Sequence, residues 1–241
     1  MNRDQIYAQP HAQLNAFQFD EKVTQVFADM IQRSVPGYGL TLQMLSIMAA
    51  EYATEGSRLY DLGCSLGAST LAMRHGIQQP SCRIIAVDNS SAMIDTCQHH
   101  VDADSSPTPV ELHCANIQDI IIEDASIVVL NFTLQFIPIL ERTALLQRIV
   151  SGLREGGVLV LSEKICFSDT SKNARQIQLH ERFKRSQGYS DMEISQKRQS
   201  LEHVLIPETL ETHHQRLHEA GFEQSHTWFQ CFNFASLLAF K

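Results

Sequence analysis

The stretch Asp61-Leu62-Gly63-Cys64-Ser65-Leu66-Gly67 has the residue types of a turn that binds a ligand through its backbone. Glycines at 63 and 67 allow the chain to turn sharply and to approach a ligand without a clash from a Cβ atom. Asp88 lies 21 residues after Gly67, and a carboxylate there can accept hydrogen bonds from both hydroxyls of a ribose. Together these residues predict a site for an adenosine-containing ligand.

Two other kinds of site share part of this pattern. The turn is not G-x-G-x-x-G, and Ser65 stands where a dinucleotide pyrophosphate would need a second glycine, so NAD is disfavoured. S-adenosylmethionine has no phosphate and fits better. Residues 63–67 also match the G-x-S-x-G elbow of hydrolases. That elbow normally follows several strands, whereas residues 1–56 have helical patterns, and a hydrolase leaves Asp88 unexplained. The hydrolase therefore stays the lesser alternative.

No metal site is expected. His214 and His218 have a spacing suited to metal ligation on one helix face, but no third ligand accompanies them, so a solvated helix face is the better interpretation. The six cysteines, at 64, 82, 97, 114, 166 and 231, lack C-x-x-C spacing. They indicate reduced thiols and a cytoplasmic protein. Cys64 is interpreted as a small filler of the turn rather than a nucleophile.

Alternating strand and helix patterns must position the cofactor turn. Helices are predicted over Asp20–Arg33 and from about 40 to 52, on either side of a break at residues 34–39. From residue 57 short apolar runs alternate with helical patterns, and Gly156-Gly157 forms a turn before the last of these strands. The predicted strands are 58–61, 83–88, 110–113, 126–131 and 158–162. Such alternation predicts a parallel sheet with helices on both faces.

The rest of the chain completes a single S-adenosylmethionine-binding domain over residues 1–241. Residues 1–56 form N-terminal helices, 57–163 and 209–241 form a Rossmann-like core, and 164–208 form a polar helical insertion that we interpret as a cap. A helix at 208–220 ends at Gly221. Strands at about 226–232 and 234–240 are joined so closely that they must be antiparallel. The expected fold is therefore a doubly wound α/β sheet of seven strands.

Composition limits the function classes. The formal net charge is −8, which disfavours a surface that grips nucleic-acid phosphates. No stretch has the roughly 18–20 apolar residues that a membrane span requires. Residues 1–17 lack the apolar core of a signal peptide, so none is expected.

Six segments resemble the carboxy-S-adenosylmethionine synthase family, a branch of the class I methyltransferase superfamily. They are MIQRSVPGY (30–38), YDLGCSLGAST (60–70), VVLNFTLQF (128–136), LVLSEK (159–164), GYSDMEISQKR (188–198) and WFQCFNF (228–234). The resemblance extends from about residue 3 to residue 240. It implies a homodimer that converts S-adenosylmethionine and prephenate to carboxy-S-adenosylmethionine and phenylpyruvate. A partner enzyme then uses the product to carboxymethylate a wobble uridine of tRNA.

The same resemblance implies which residues contact the cofactor, which is S-adenosylmethionine or its carboxylated form. These residues are Tyr38, Gly63, Cys64, Ser65, Asp88, Asn89, Asn116, Ile117, Asn131 and Arg198. The family usually has Asp where this chain has Asn116. Because an amide keeps one oxygen that can face the adenine amino group, we expect binding to survive this change.

Arg198 receives the one catalytic role that the resemblance implies. A guanidinium beside a sulfonium is repelled, and a carboxylate between the two reverses the sign of the interaction. The planar guanidinium can also hold that carboxylate with two parallel hydrogen bonds. On the sequence alone, Arg198 is more simply a surface residue in the run 196–199. The nearest rival function is a methyltransferase acting on a small acid, and a noncatalytic protein that binds S-adenosylmethionine or tRNA is a further alternative.

Overall fold

A computed structural model of the chain describes residues 2–10 and 15–241. The prediction about a signal peptide rests on residues 1–17, some of which lie outside these ranges. No helix within the described ranges combines the length and the apolar character needed to cross a bilayer.

Within the described residues, seven strands form one sheet in the order β3-β2-β1-β4-β5-β7-β6. Neighbours among the first five strands pair in parallel, and the β5–β7 and β7–β6 pairs are antiparallel. The doubly wound fold is therefore confirmed. The strands are β1 (Arg58–Leu62), β2 (Arg83–Asp88), β3 (Val110–Cys114), β4 (Ala125–Asn131), β5 (Leu153–Lys164), β6 (Gln224–Cys231) and β7 (Phe234–Phe240).

Eight helices of the described residues precede and connect the strands. They are α1 (Glu21–Ser34), α2 (Tyr38–Tyr52), α3 (Ala68–Gly76), α4 (Ser91–Ala103), α5 (Ile139–Gly152), α6 (Thr170–Ser186), α7 (Asp191–Leu201) and α8 (Leu210–Ala220). Residues of α2 and α3 pack on one face of the sheet, while residues of α5 and α8 pack on the other. Helix α1 begins as predicted, with the Asp20 carboxylate accepting the backbone N–H of Val23. Helix α8 ends as predicted at Gly221, whose φ is 109°.

Strand β5 begins earlier than predicted. Leu153 already pairs with Ala125, and the next pair in the register is Ile127 with Val158. The intervening residues 154–157 bulge out of the ladder, and Gly156 there has a φ of 72°. The glycine pair was predicted as a turn before the strand, but it lies within the strand because a bulge absorbs the extra residues.

The sheet is buried on both faces. Successive residues of a strand point to opposite sides, so neighbouring residues belong to different apolar clusters. Tyr60 and Val128 belong to the apolar cluster on one face, and Leu59 and Ile127 belong to the cluster on the other. Strand β4 is buried from Ala125 to Leu130, as its continuous apolar run predicts.

A fully buried arginine joins the end of the insertion to the loop that follows β4. The Arg142 side chain, on α5, is 0 % exposed and forms an ion pair of 2.6 Å with Glu208. Its guanidinium also donates to the backbone carbonyls of Ile137, Gln135 and Ile206 at 2.9, 3.1 and 3.0 Å. These bonds join the loop after β4 to the segment that follows α7.

We expect Arg142→Met to destabilise the fold by about 3–5 kcal/mol, because it leaves buried carbonyls without their donor and leaves the Glu208 carboxylate with one of its two arginine partners, Arg216. Urea unfolding followed by circular dichroism measures this loss. Arg154→Met is the matched control, since Arg154 pairs with Asp124 on the surface at 2.6 Å, and its loss should be clearly smaller. Equal losses in the two variants would contradict the anchoring role of Arg142.

Candidate functional site

A cavity of about 470 Å³ opens at the carboxyl ends of the parallel strands. The strand order reverses between β1 and β4, because the chain continues from β1 to β2 on one side and from β4 to β5 on the other. A crevice at such a switch point is where open α/β sheets bind ligands. The turn after β1 and the ends of β2, β4 and β5 line the cavity, and α1, α6 and α7 close it.

The turn after β1 has the sharp backbone that its glycines predict. Gly63 and Gly67 have φ values of 89° and 86°, and Ser65 has a φ of 48°. A Cβ atom on Gly63 would lie 2.4 Å from the Thr133 hydroxyl oxygen, so only glycine fits there. The backbone N–H of Ser65 donates to Asp88 Oδ2 at 3.0 Å. This bond holds the turn against the end of β2.

Backbone hydrogen bonds fix the Asp88 carboxylate but do not use all of its capacity to accept hydrogen bonds. Its Oδ1 accepts the backbone N–H of Ser90 at 2.9 Å, and its Oδ2 accepts that of Ser65. Each oxygen therefore keeps a lone pair for a ribose hydroxyl. Burial raises the pKa of the Asp88 carboxyl, although the backbone donors stabilise its charged form.

Four more of the predicted contact residues line the cavity: Tyr38, Cys64, Asn89 and Asn131. Burial raises the pKa of the Tyr38 phenol well above its usual value, so the phenol stays a hydrogen-bond donor. The adjacent Cys97 thiol and burial raise the pKa of the Cys64 thiol, which favours the protonated, less reactive form. Asn131 donates to Ser69 Oγ at 3.0 Å.

The predicted contact residues Asn116 and Ile117 differ in their position relative to the cavity. Ile117 lines the cavity, whereas Asn116 is exposed and does not. The Asn116 side-chain oxygen accepts the Asn89 amide at 3.2 Å, and its own amide donates to Asp119 at 3.2 Å. Its oxygen is thus already engaged, and a contact with an adenine amino group stays a prediction.

The Arg198 side chain does not line the cavity. It is 67 % exposed and approaches Glu181 Oε1 at 3.5 Å. The adjacent Lys197 does line the cavity. A role for Arg198 at the product carboxylate stays a prediction, and it requires either a different side-chain position or a second copy of the chain.

Sequence reasoning missed the cationic wall of the cavity, which we define as Lys164, Lys184 and Lys197. Lys164 ends β5, and its position at the carboxyl end of a parallel strand was a usable signal. The lysines of α6 and α7 gave no such signal, because polar residues occupy most positions of both helices.

His180 lies beside this wall on α6. Its Nε2 is 2.8 Å from the Ser34 carbonyl oxygen, and since a carbonyl only accepts, this nitrogen carries the proton. The ring packs edge-to-face on Phe234 with centroids 4.8 Å apart. Burial and the nearby lysines lower the pKa of His180 to about 3, so His180 is neutral at physiological pH.

The alternative sites gain no support. Among residues 2–10 and 15–241, no histidine forms a hydrogen bond with the Ser65 hydroxyl, as a hydrolase nucleophile would require. His214 bonds to Ser225 and Thr227 at 2.6 and 3.1 Å instead of facing a metal. In that same part of the chain, no group of three metal-ligating side chains occurs.

Comparison with known proteins assigns the family. Curated carboxy-S-adenosyl-L-methionine synthases are 60 % identical over 99 % of this chain and 98 % of the protein in Citrifermentans bemidjiense, and 61 % identical with the same coverage in Geobacter metallireducens. That of Escherichia coli O7:K1 is 53 % identical over 100 % of this chain and 97 % of its own. The chain belongs to the carboxy-S-adenosyl-L-methionine synthase family. Membership makes it an S-adenosyl-L-methionine-dependent transferase.

Wider comparisons agree on the fold. A family model described as a methyltransferase domain matches residues 59–157. Human N-acetylserotonin methyltransferase in complex with S-adenosylmethionine superimposes with a TM-score of 0.62, covering 92 % of this chain and 55 % of that one at 16 % identity. A putative O-methyltransferase from Nostoc punctiforme gives a TM-score of 0.65 at 15 % identity, covering 92 % and 59 % of the two chains.

The residues present fit S-adenosyl-L-methionine. Asn131 Oδ1 is buried and has no hydrogen-bond partner among the described residues, so it is ready to accept from the ammonium group of the methionine part. Asp88 presents free lone pairs one strand beyond the turn. The two groups flank the glycine turn after β1, as an elongated nucleoside with a polar group at each end requires.

We expect Asp88→Ala to weaken S-adenosyl-L-methionine binding more than a hundredfold, because two charge-assisted hydrogen bonds to the ribose contribute roughly 3 kcal/mol or more. Isothermal titration calorimetry measures the affinity. Asp95→Ala, an exposed change on the neighbouring helix α4, is the control and should bind normally. An unchanged affinity in Asp88→Ala, with circular dichroism intact, would remove Asp88 from the ribose site.

Proposed function

We propose that the chain converts S-adenosyl-L-methionine and prephenate to carboxy-S-adenosyl-L-methionine and phenylpyruvate. The observation that carries this proposal is the 60 % identity to a carboxy-S-adenosyl-L-methionine synthase over 99 % of the chain, which includes the insertion between β5 and α8. An ordinary methyltransferase would share only the cofactor half of the site.

The proposed reaction balances without an added reagent. Prephenate loses CO2 and its ring hydroxyl as the ring becomes aromatic, and phenylpyruvate remains. The methyl group of S-adenosyl-L-methionine gives up one proton, which leaves with the hydroxyl as water. A carbon–carbon bond forms between that methyl carbon and CO2.

The protein's contribution to this reaction is positioning and exclusion of water. Asp88 and Asn131 would hold the two ends of the nucleoside on either side of the glycine turn. Helices α6 and α7 cover the cavity, so CO2 formed inside it can be captured before it escapes. His180 is neutral, and its pKa of about 3 makes it too weak a base to take the methyl proton. The departing hydroxide supplies that base.

The wider role proposed for the chain follows from the same family. Its product would serve a partner enzyme that carboxymethylates a wobble uridine of tRNA, in the cytoplasm, while the chain acts as a homodimer and neither binds tRNA itself nor associates with a membrane. The net charge of −8 supports the absence of direct tRNA binding.

We expect the purified protein to form a nucleoside of the mass of S-adenosyl-L-methionine plus CO2 when it is given prephenate. Liquid chromatography with mass spectrometry detects it, and prephenate labelled with ¹³C at the ring carboxyl should pass its label to the nucleoside. Formation of S-adenosylhomocysteine with a methylated acid would instead identify a methyltransferase.

We expect Arg198→Ala to weaken binding of carboxy-S-adenosyl-L-methionine at least tenfold while S-adenosyl-L-methionine binding changes little, because only the former carries a carboxylate for the guanidinium. Calorimetry with both ligands measures this difference. Arg182→Ala, an exposed change on α6, should alter neither affinity. If both ligands weaken equally, or neither does, Arg198 is not the carboxylate receptor.

A further inference from the structure

The cationic wall carries more positive charge than its surroundings neutralise. Lys184 and Lys164 form no ion pair or side-chain hydrogen bond through their ammonium groups with any described residue. Lys197 is 7 % exposed, donates to Ser34 Oγ at 3.3 Å and lies 3.9 Å from Asp4 Oδ2. Buried ammonium groups are costly unless an anion accompanies them.

The three lysines are near enough to repel one another. Burial, then Lys197 and Lys164, lowers the pKa of Lys184 to about 7, while Glu181 and Asp4 oppose that shift. Burial also lowers the pKa of Lys164, with Arg198 adding repulsion, and that of Lys197 to about 8, with Asp4 opposing. Glu181 is itself shared with Arg185 and Arg198. The acids nearby therefore leave the wall with an excess of positive charge.

The cationic wall and the predicted ribose site at Asp88 lie at different ends of the cavity. Asp88 is the only acidic side chain of the described residues that lines the cavity, and it ends β2, whereas Lys164 ends β5. Strands β1 and β4 lie between them, so the two strand ends are three spacings, or about 14 Å, apart. A nucleoside held at Asp88 and Asn131 would leave the lysines facing a second ligand.

We infer that Lys164, Lys184 and Lys197 form an anion subsite that holds the carboxylates of a small dicarboxylate co-substrate beside the sulfonium of S-adenosyl-L-methionine. The inference rests on the proposed function for the identity of that co-substrate, prephenate. A dianion there is attracted by both the lysines and the sulfonium, and it screens them from each other. The lysines are positioning residues for the reaction, and Lys184 is the sharpest probe because nothing in the described chain holds its ammonium group.

Prephenate titrated by calorimetry into protein saturated with S-adenosylhomocysteine measures the subsite without turnover. We expect Lys184→Met to weaken prephenate about 10- to 100-fold, as for the loss of a charged hydrogen bond, and Lys184→Arg to restore most of that affinity. Lys172→Met, an exposed change on the same helix, should bind normally. Affinity for S-adenosylhomocysteine itself should stay within about threefold in every variant.

Two further readouts separate the subsite from a structural role. Removing an uncompensated ammonium should leave the melting temperature of ligand-free Lys184→Met unchanged or raised. At pH 8 the free Lys184 is largely neutral, and an anion raises its pKa, so binding should take up a proton. The measured heat in the wild type should then vary with the ionisation enthalpy of the buffer, and this variation should diminish in Lys184→Met.

Malonate, the simplest dicarboxylate probe, makes failure of the subsite distinguishable from failure of the proposed function. If the wild type forms no carboxylated nucleoside but malonate raises its melting temperature and not that of Lys184→Met, the subsite stands and the proposed function fails. If the wild type forms the product while Lys184→Met and Lys164→Met keep wild-type KM and affinity for prephenate, the subsite is wrong. If neither prephenate nor malonate distinguishes wild type from Lys184→Met, it is also wrong.

Discussion

The hydrogen bond from the Ser65 backbone to the Asp88 carboxylate joins the turn after β1 to the end of β2, and the geometry of the cofactor site depends on it. The turn reaches Asp88 only because residues 63, 65 and 67 adopt positive φ values, which is unfavourable for the serine. That cost is offset because the bond orients both the turn and the carboxylate before a ligand arrives. Preorganisation of this kind reduces the free-energy cost of ordering the site when a ligand binds.

The cavity has a carboxylate at one end and lysines at the other. This arrangement suits a nucleoside with ribose hydroxyls at the first end and an anionic co-substrate at the second. The carboxylate of Asp88 suits neutral hydroxyl donors, and the wall of lysines suits anions. A sulfonium between these ends would face net repulsion from the lysines if no anion were present. The two ligands should therefore favour each other's binding. The anion reduces the repulsion between the lysines and the sulfonium, and the sulfonium attracts the anion.

The sequence predicts those features that local patterns encode. Apolar runs and helical spacing identified the five parallel strands of the described residues. The glycine turn and Asp88 were expected to lie together because strand ends in a parallel sheet share an edge, and the structure brings them together, whereas the contact of Asp88 with a ribose stays a prediction. The cationic wall was missed because it depends on which face α6 and α7 turn towards the core. Successive helical residues point about 100° apart, so Lys197 faces the cavity while Arg198 is exposed beside Glu181. The run 196–199 gives no periodic signal that separates the two.

The insertion that carries Lys184 and Lys197 is held in place by hydrogen bonds of other side chains, although one of these side chains, Asp4, also lies 3.9 Å from Lys197. Arg142 fixes the chain after α7, and Asp4 accepts the Tyr189 hydroxyl at 2.6 Å before α7. Such external anchors are needed because the wall itself opposes folding: Lys184, with a folded pKa of about 7, binds its proton less tightly than an unfolded lysine. This penalty is greatest below about pH 7 and disappears as pH approaches the ordinary lysine value near 10.4. The lysine cluster does not stabilise the fold. Its presence is best explained by the anion that we infer it binds.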